Sequence, residues 1–207
     1  MLRPATPDDP LRLGVLVSGT GSNLQVLLDT FNGAPREARV VAVASTRPGV
    51  RALERAAAAG VPHAAFPLGD DRDARLADWL DGHRVELAVC AGWMGILTRA
   101  FLDRYVAINL HPALLPSFPG AHAVAEALAH GVRITGVTVH LVDDGVDSGP
   151  ILLQAPVPVH YDDDPETLAA RLHEAEHRLL PRAVTLLATD RVELTGRRAR
   201  VIDVEDS

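Results

Sequence analysis

Cysteine is almost absent from this chain of 207 residues, which contains only Cys90. One cysteine cannot form an intramolecular disulfide, and a reducing compartment is the simplest setting for such a protein. Cys90 lies within the apolar stretch ELAVCAGW, where an unpaired cysteine is more typical of a small buried side chain than of a nucleophile. We therefore expect a protein that folds without disulfides and has one inert thiol.

Long apolar runs and basic runs are also missing. No apolar run approaches the roughly 18 residues that span a bilayer, and the first residues, MLRPATPDDP, lack the positive start and apolar core of a signal peptide. Acidic residues number 27 against 20 basic ones, which gives a net charge of −7, and the densest basic patch is GRRAR. The sequence thus predicts a soluble cytoplasmic protein that binds neither membranes nor nucleic acid.

Several ligand-binding signatures are absent as well. The nine histidines form no HExxH motif, and no Cys or His residues are paired at close helical spacing, so no metal site is predicted. The acidic stretch near residue 143 lacks the regular spacing of a calcium loop. A P-loop would need Gly-Lys-Ser/Thr, which the chain does not contain. A dinucleotide fingerprint would need glycine at Leu24 and an acid closing the second strand, which ends in ASTRP.

What the chain does contain is an alternation of aliphatic strands and amphipathic helices. The stretches LRLGVLVSG (11–19), ARVVAVAST (38–46) and VELAVCAGW (85–93) are nearly continuous apolar runs, as in strands that are buried on both faces. HAAFPL and VAINLH predict two further strands, and helical periodicity separates all five. The pattern predicts an α/β, Rossmann-like fold, with a mainly parallel twisted sheet and helices on both faces.

After residue 120 the pattern changes. TGVTVHLVDDGVDSGPILLQAPVPV predicts two strands joined by an acidic loop, and the stretch that follows predicts a long helix starting near Asp162 or Asp164. RVELTGRRARVI predicts a hairpin around Gly196. Because no internal repeat or low-complexity linker is present, we expect a flexible tail over residues 1–10 and a single domain over residues 11–207.

The motif SGTGSNL at residues 18–24 lies where the first predicted strand passes into the first helix. Glycines let the backbone approach an anion closely, and a helix N-terminus offers unpaired N–H groups and a positive dipole end. Ser22 and Asn23 have short side chains that can either donate to phosphate oxygens or cap the helix. A glycine turn with such a cap is therefore the alternative to a phosphate site. Within a phosphate site, a single phosphate monoester fits better than a nucleotide cofactor.

The stretch INLHP places Asn109 and His111 on the same side of a strand, at its carboxyl end, where open α/β sheets build their sites. An amide beside an imidazole can hold a developing oxyanion, and the imidazole can move a proton near neutral pH. A hydrogen-bonded core pair is the alternative. In the acidic loop DDGVDSGP, Asp147 is the best candidate for a partly buried carboxylate that faces the histidine; a solvated turn is the alternative there.

Taken together, these motifs resemble the glycinamide ribonucleotide formyltransferase family of purine synthesis. The resemblance covers about residues 11–200, and NLHPALLPSFPG followed about thirty residues later by D-x-GP is specific to folate-dependent formyl transfer. The stretches that carry it are, in chain order, LVSGTGSNLQ, AGWMGIL, INLHPALLPSFPGAHA, GVTVHLVDDGVDSGPIL and AEHRLLP.

The resemblance implies transfer of the formyl group of 10-formyltetrahydrofolate to the amine of glycinamide ribonucleotide, without a metal. It implies that Asn109 and His111 hold the tetrahedral oxyanion, while Asp147 supports the protonated imidazole and orders a proton-shuttling water. The implied substrate residues are Thr20, Gly21, Ser22 and Asn23 for the phosphate and Glu176 for the ribose hydroxyls. The implied folate residues are Met94, Gly95, Ile96, Leu97, Val142, Asp144 and Arg72. The half of the domain up to about residue 100 would then bind phosphate, and the other half would bind folate and carry out the transfer.

The chain departs from the family pattern in AGWMGIL. Gly95 stands where many relatives carry a basic residue, and Trp93 replaces a phenylalanine. We expect the pterin to be held there mainly by the backbone. Arg72 lies where relatives often have an arginine near the folate tail.

Four other functions compete with this one. Formyltetrahydrofolate deformylase carries a regulatory domain ahead of a similar core, whereas only about ten residues precede the first strand here. Methionyl-tRNA formyltransferase has a further C-terminal domain and a basic surface. A sugar-nucleotide formyltransferase would share the Asn-His-Asp core without needing the cradle at Ser22 and Asn23. A non-catalytic folate- or phosphate-binding module is the fourth.

The oligomeric state does not follow from the sequence, and both a monomer and a homodimer stay open.

Overall fold

The strands and helices alternate along the chain, and together they build one continuous sheet. The computed structural model describes residues 2–202; residue 1 and residues 203–207, which belong to the predicted tail and domain, lie outside the described residues. In the described range the strands are β1 (Leu11–Val17), β2 (Ala38–Ser45), β3 (His63–Ala65), β4 (Leu87–Cys90), β5 (Val106–His111), β6 (Ile134–Leu141), β7 (Ile151–Pro158), β8 (Val192–Thr195) and β9 (Arg198–Val201). The helices in this range are α1 (Ser22–Phe31), α2 (Arg51–Ala58), α3 (Arg72–Gly82), α4 (Arg99–Leu102), α5 (Ala123–Ala129) and α6 (Pro165–Ala188).

The sheet has a parallel part and an antiparallel part. Strands β3, β2, β1, β4 and β5 are neighbours in that order, and all of them are parallel. β6 then pairs antiparallel with β5, and β7 pairs antiparallel with β6. The β8–β9 hairpin completes the sheet, with β9 parallel to β7. The mainly parallel, Rossmann-like sheet is confirmed, and the change of pattern after residue 120 is the change to antiparallel pairing.

Each face of the sheet carries its own apolar core. In β1, Leu13 and Val15 pack with α1, α2 and α6, while Leu16 packs on the other face with α3 and α4. Because both faces are covered, the parallel strands are apolar at almost every position. Gly14 lies in β1 where an added Cβ would come 2.9 Å from Val85. The missing side chain therefore lets the segment after α3 approach the sheet.

Helix α6 begins at the second of the two starts that the sequence left open. The Asp164 side chain accepts a hydrogen bond from the Thr167 N–H at 2.8 Å, and the Thr167 hydroxyl contacts the Asp164 N–H at 2.9 Å, which forms a capping box. Pro165 occupies the first turn, where its missing N–H costs nothing. α6 is amphipathic, and none of the described helices is long and apolar enough to cross a membrane.

The segment before β1 contacts the domain at several points. The Ala5 N–H donates to the Ala188 carbonyl at 2.8 Å, and Leu2 and Ala5 pack against the core. The Arg3 guanidinium binds both Asp9 and Glu86. These contacts hold the segment before β1 on the domain, although its composition predicts a flexible tail.

Candidate active site

A cavity of about 560 Å³ opens at the carboxyl ends of β1, β4 and β5. Open α/β sheets place their ligand sites at this edge, because the loops that leave the parallel strands diverge there. The walls come from the loop after β1, the segment after β4, the end of β5, the loop after β6 and helix α6. The lining residues include Thr20, Gly21, Ser22, Asn23, Met94, Gly95, Ile96, Leu97, Asn109, His111, His140, Val142, Asp147, His173 and Glu176. Within residues 2–202, no group of three or more His, Cys, Asp or Glu side chains could hold a metal ion.

The loop after β1 ends in a helix start that no side chain caps. Helix α1 begins at Ser22, and its N-cap is Gly21 in the left-handed conformation, with φ 72° and ψ 35°. Neither Ser22 nor Asn23 acts as the cap, so the alternative of a capped turn is wrong. The N–H groups of the first turn have no intrahelical acceptor and therefore remain available to an anion.

Asn23 and Glu176 meet at the same end of the cavity, although they are far apart in the chain. The Asn23 amide donates to the Glu176 carboxylate at 2.8 Å, and both side chains are buried. His173, one turn earlier on α6, places its Nε2 3.9 Å from the same carboxylate. The Asn23 Oδ1 has no hydrogen-bond partner among the described residues. The structure thus brings all five predicted substrate residues to one end of the cavity.

Asp147 is the centre of a cluster at the other end. Its Oδ1 accepts from the Asn109 amide at 3.1 Å, and its Oδ2 accepts from the Gly120 N–H at 2.7 Å. The Nδ1 of His111 lies 3.3 Å from Oδ2, and the Nε2 of His140 lies 3.5 Å from Oδ1. Asn109 and His111, the other two predicted catalytic residues, therefore both contact Asp147, and His140 joins them.

The hydrogen bonds around the cluster leave few choices for the protons. The His111 Nε2 lies 2.8 Å from the Phe118 carbonyl, so it must donate there, while the Nδ1 faces a carboxylate. The Nε2 therefore carries a proton, and the Nδ1 is directed at the Asp147 carboxylate. The His140 Nδ1 donates to the Leu141 carbonyl at 2.8 Å, and its Nε2 faces both the Asn109 amide nitrogen, at 3.1 Å, and the Asp147 carboxylate, at 3.5 Å. The side-chain N–H groups of Asn109 and His111 thus face partners within the protein.

The environment of Asp147 favours its charged form. Burial alone would raise the pKa of this carboxyl group, but hydrogen bonds from His140 and the Gly120 N–H, together with the charge of the two histidines, lower the pKa from 3.8 to about 2. The side chain is 13% exposed, so little water screens these interactions. Asp147 therefore carries a negative charge throughout the physiological range.

His140 is the member of the cluster that sequence analysis missed. The antiparallel pairing of β5 with β6 places it directly opposite Asn109. The available signal was the alternation in β6, where a histidine occupies a position that the structure buries. Which residue of β5 it faces depends on the register, and the register follows from no local motif.

The apolar wall of the cavity comes from the segment after β4. Met94 and Ile96 are 60% and 67% exposed, whereas Leu97 is buried. The Met94 N–H donates to the Ser18 hydroxyl at 2.8 Å, which links this wall to the loop after β1. Gly95 and Val142 also line the cavity. Five of the seven predicted folate residues thus lie together.

The other two, Arg72 and Asp144, do not line this cavity. Asp144 forms an exposed ion pair with Arg99 at 2.6 Å, which lowers the pKa of the carboxyl group. Arg72 is buried behind the wall, where it pairs with Asp73 and donates to the Ile96 carbonyl at 2.5 Å. It lines a second cavity of about 330 Å³, and the two cavities share Ile96.

Gly95 explains how a buried arginine fits there. A Cβ at this position would come 2.7 Å from the Arg72 Nη1 and 3.2 Å from the Trp93 Nε1. Both nitrogens are buried without a hydrogen-bond partner among the described residues. The guanidinium also lies 5.4 Å from the centre of the Trp93 ring, over its face. Glycine at position 95, where many relatives carry a basic residue, therefore leaves the space that the buried Arg72 side chain occupies.

Cys90 lies at the edge of the cavity, in surroundings that disfavour its thiolate. Its side chain is 3% exposed, and burial raises the pKa of the thiol to about 12. The reactive thiolate is therefore scarce at neutral pH.

The sheet, the uncapped loop and the Asn-His-Asp cluster define a formyl transferase. Residues 11–184 match the family model described as formyl transferase, and the chain belongs to that family. Within it, the chain is 51% identical over 200 residues to the phosphoribosylglycinamide formyltransferase of Mycobacterium tuberculosis, covering 93% of this chain and 92% of the relative. It is also 37% identical to the trifunctional purine biosynthetic protein adenosine-3 of Homo sapiens, with 94% of this chain and 20% of that protein covered.

Solved structures give the same result. The glycinamide ribonucleotide transformylase 1 of Symbiobacterium toebii superposes with a TM-score of 0.90 at 42% identity, covering 94% of this chain and 95% of that one. The phosphoribosylglycinamide formyltransferase of Anaplasma phagocytophilum superposes with a TM-score of 0.87 at 36% identity, covering 94% and 96%. The predicted formyltransferase fold and family are confirmed.

Proposed function

We propose that this chain transfers the formyl group of 10-formyltetrahydrofolate to the amine of glycinamide ribonucleotide, in the cytoplasm and as a step of purine synthesis. The observation that carries the proposal is that one continuous cavity joins an uncapped helix start at one end to the Asp147 cluster at the other. The sequence similarity to phosphoribosylglycinamide formyltransferases supports the choice of substrate.

The substrate phosphate binds the first turn of α1. The N–H groups of Gly21, Ser22 and Asn23 can donate to its oxygens, and the positive end of the helix dipole favours a dianion. Glu176, which Asn23 holds at 2.8 Å, accepts from the ribose hydroxyls. With the phosphate and the ribose fixed at this end, the amine extends toward Asp147.

The folate binds on the apolar wall. The pterin packs between Met94, Leu97 and Val142 and makes its polar contacts with the backbone of residues 143–147. Because Arg72 lies beyond Ile96, the folate tail reaches it only by crossing from the first cavity into the second. Such a path places the formyl group between the wall and the cluster.

The residues of the cluster then promote a direct transfer. The amine attacks the formyl carbon, and N–H groups of Asn109 and His111 stabilise the oxyanion that forms. Because these N–H groups already face acceptors within the protein, the oxyanion must take the place of one of those acceptors. The contact of the Asn109 amide with the His140 Nε2, at 3.1 Å, is the one that we expect to exchange, because the Asp147 carboxylate is the stronger acceptor. Asp147 holds the His111 imidazolium and orders the water that carries the proton from the amine to the departing nitrogen.

A formylation assay tests the proposal. Purified enzyme mixed with glycinamide ribonucleotide and 10-formyltetrahydrofolate should yield one formylated nucleotide for each tetrahydrofolate released, as measured by mass spectrometry and absorbance. Release of formate without a formylated product would instead indicate the deformylase. Absence of both products would indicate a non-catalytic binding protein, and formylation of an amino sugar nucleotide alone would indicate that enzyme class.

A further inference from the structure

The segment 47–55 lies behind the loop of residues 18–21 and contacts its carbonyl groups one after another. The Arg47 guanidinium donates to the Ser18 carbonyl at 2.6 Å, the Ala52 N–H donates to the Gly19 carbonyl at 3.2 Å, and the Arg55 Nε donates to the Thr20 carbonyl at 3.0 Å. The next carbonyl, that of Gly21, accepts from within α1. Three successive peptide groups are therefore fixed from one side.

These contacts determine where the N–H groups of the loop point. In a planar trans peptide the N–H is directed opposite to the C=O. Holding the carbonyls of residues 18–20 toward α2 therefore turns the N–H groups of residues 19–21 away from it. Outside helices and ladders, these three N–H groups donate to no backbone acceptor among the described residues. Residues 19–23 line the cavity, so the loop offers its donors to a ligand there.

The two arginines also place positive charge behind the loop. All 20 basic residues of the chain are arginines, so no lysine can serve the phosphate. Within the described residues, neither Arg47 nor Arg55 forms an ion pair with a carboxylate. Arg55 is held a second time, because its Nη1 donates to the Gln25 Oε1 at 2.8 Å. In a chain with a net charge of −7, such a local charge favours an anion at this end of the cavity.

Helix α2 packs so closely on the loop that a shift of the helix would also move the loop. A Cβ at Gly21 would lie 2.7 Å from the Ala52 Cβ and 3.5 Å from the Arg55 Cδ. The loop therefore rests directly on the first turns of α2, with no intervening side chain. A change on α2 shifts the loop rather than being absorbed between them.

We propose that Arg55 and Arg47 are positioning residues for the substrate phosphate. They hold the carbonyls of the loop so that its N–H groups converge on the phosphate, and their charges lie behind those groups. This inference rests on the proposed function, because it takes the phosphate to bind at the loop. Neither arginine needs to touch the substrate.

The experiment compares two substrates that differ only in the phosphate, glycinamide ribonucleotide and glycinamide riboside. The variants are Arg55→Met, Arg55→Lys and Arg47→Met, and Arg51→Met is the matched control, because it removes an exposed charge from the same helix. Losing a charged hydrogen bond should raise the KM for the ribonucleotide about 10- to 100-fold in Arg55→Met, with kcat and the KM for the folate changed less than about twofold. Arg55→Lys should recover part of the loss. For the riboside, kcat/KM should stay within about twofold of the wild type.

Equal losses on both substrates would overturn the proposal, because the effect would not depend on the phosphate. So would an unchanged KM in Arg55→Met, or a similar loss in Arg51→Met, which would point to charge alone. If Arg55→Met fails to fold in a melting experiment, Arg55→Lys and Arg47→Met give the same comparison. Calorimetric titration with the ribonucleotide alone separates the two proposals: weaker binding by the Arg55 variants supports the positioning role even if the wild type transfers no formyl group, and unchanged binding contradicts it.

Discussion

The two ends of the cavity present different kinds of chemical group to a ligand. At the proposed phosphate end the available donors are backbone N–H groups, which glycine conformation and the neighbouring helix α2 hold in place. At the proposed transfer end the groups that we expect to act are the side chains of Asn109, His111 and Asp147, which come from β5 and from the loop after β6. A side chain can be removed by one substitution, whereas a backbone donor can only be displaced.

The difference also determines how each end responds to its surroundings. The backbone donors carry no titratable proton, so their own part of the phosphate contact should not change with pH. The transfer end contains the Asp147 carboxylate, which must be charged to accept from the Asn109 amide and the Gly120 N–H at the same time. Changes at the first end should therefore alter the KM for the ribonucleotide, and changes at the second should alter kcat.

Removal of a side chain at the transfer end should have the largest effect. We expect Asn109→Ala or His111→Ala to lower kcat about 100- to 1000-fold, the typical loss for one oxyanion donor. The KM for glycinamide ribonucleotide should change only a few-fold. Steady-state kinetics with His160→Ala, an exposed histidine far along the chain, as control measures this. Full activity in either variant would remove these residues from the mechanism.

Displacing the backbone at the phosphate end should have the next largest effect. Gly21→Ala puts a side chain on a residue with φ 72°, and its Cβ would come 2.7 Å from Ala52. We expect a loss of about 1–3 kcal/mol in unfolding free energy and about a tenfold rise in the KM for the ribonucleotide. Gly60→Ala, outside the segment that contacts the loop, has a similar φ of 66° and open space around it, so it should lose stability without the change in KM. Equal KM values in the two variants would contradict the role of the loop.

Acid should weaken the transfer end through Asp147. Its pKa in the folded protein, about 2, lies below the usual 3.8, so its contribution to stability is present above about pH 4 and is lost as the pH falls through 2. The contribution at neutral pH is about 2 kcal/mol. Between about pH 6 and pH 3, the wild type should lose about 1 kcal/mol more than Asp147→Asn in urea unfolding. Asp162→Asn, on an exposed residue, should behave like the wild type; the same behaviour in Asp147→Asn would show that the carboxylate is not stabilised.

The smallest effect should come from the apolar wall. In Gly95→Ala the new methyl group would lie 2.7 Å from the Arg72 Nη1, so the guanidinium or the segment must shift. We expect about a two- to fivefold rise in the KM for 10-formyltetrahydrofolate, the effect of a modest overpacking, and no change for the ribonucleotide. Gly82→Ala, which has nothing within 4 Å and lines neither cavity, is the control. A rise in the ribonucleotide KM alone would place the wall at the other substrate.

Local patterns predicted much of this molecule. The apolar runs predicted β1, β2, β4 and β5, and the glycine motif predicted the loop before α1. The carboxyl ends of parallel strands meet at one edge, which was enough to bring that loop toward Asn109 and His111. The sequence also predicted the hairpin around Gly196. This glycine has a φ of 59°, a conformation that other residues rarely adopt.

Features that depend on pairing between distant segments could not be predicted. His140 joins Asp147 only because β6 pairs antiparallel with β5 in one register. Arg72 lies behind the apolar wall because Gly95 leaves room for it, and a spacing pattern does not show on which side of a segment a long side chain passes. Arg55 donates to the Thr20 carbonyl, although α1 and β2 separate the two residues along the chain. The position of Arg55 in α2 does not indicate that contact.

The most direct test of this account is a crystal structure with glycinamide ribonucleotide and a folate analogue that cannot transfer its formyl group. We expect the phosphate to lie about 3 Å from the N–H groups of Gly21, Ser22 and Asn23. The amine and the formyl carbon should meet beside Asn109 and His111, with the pterin against Met94 and Leu97. A phosphate bound elsewhere, or a pterin outside this cavity, would contradict the proposed function.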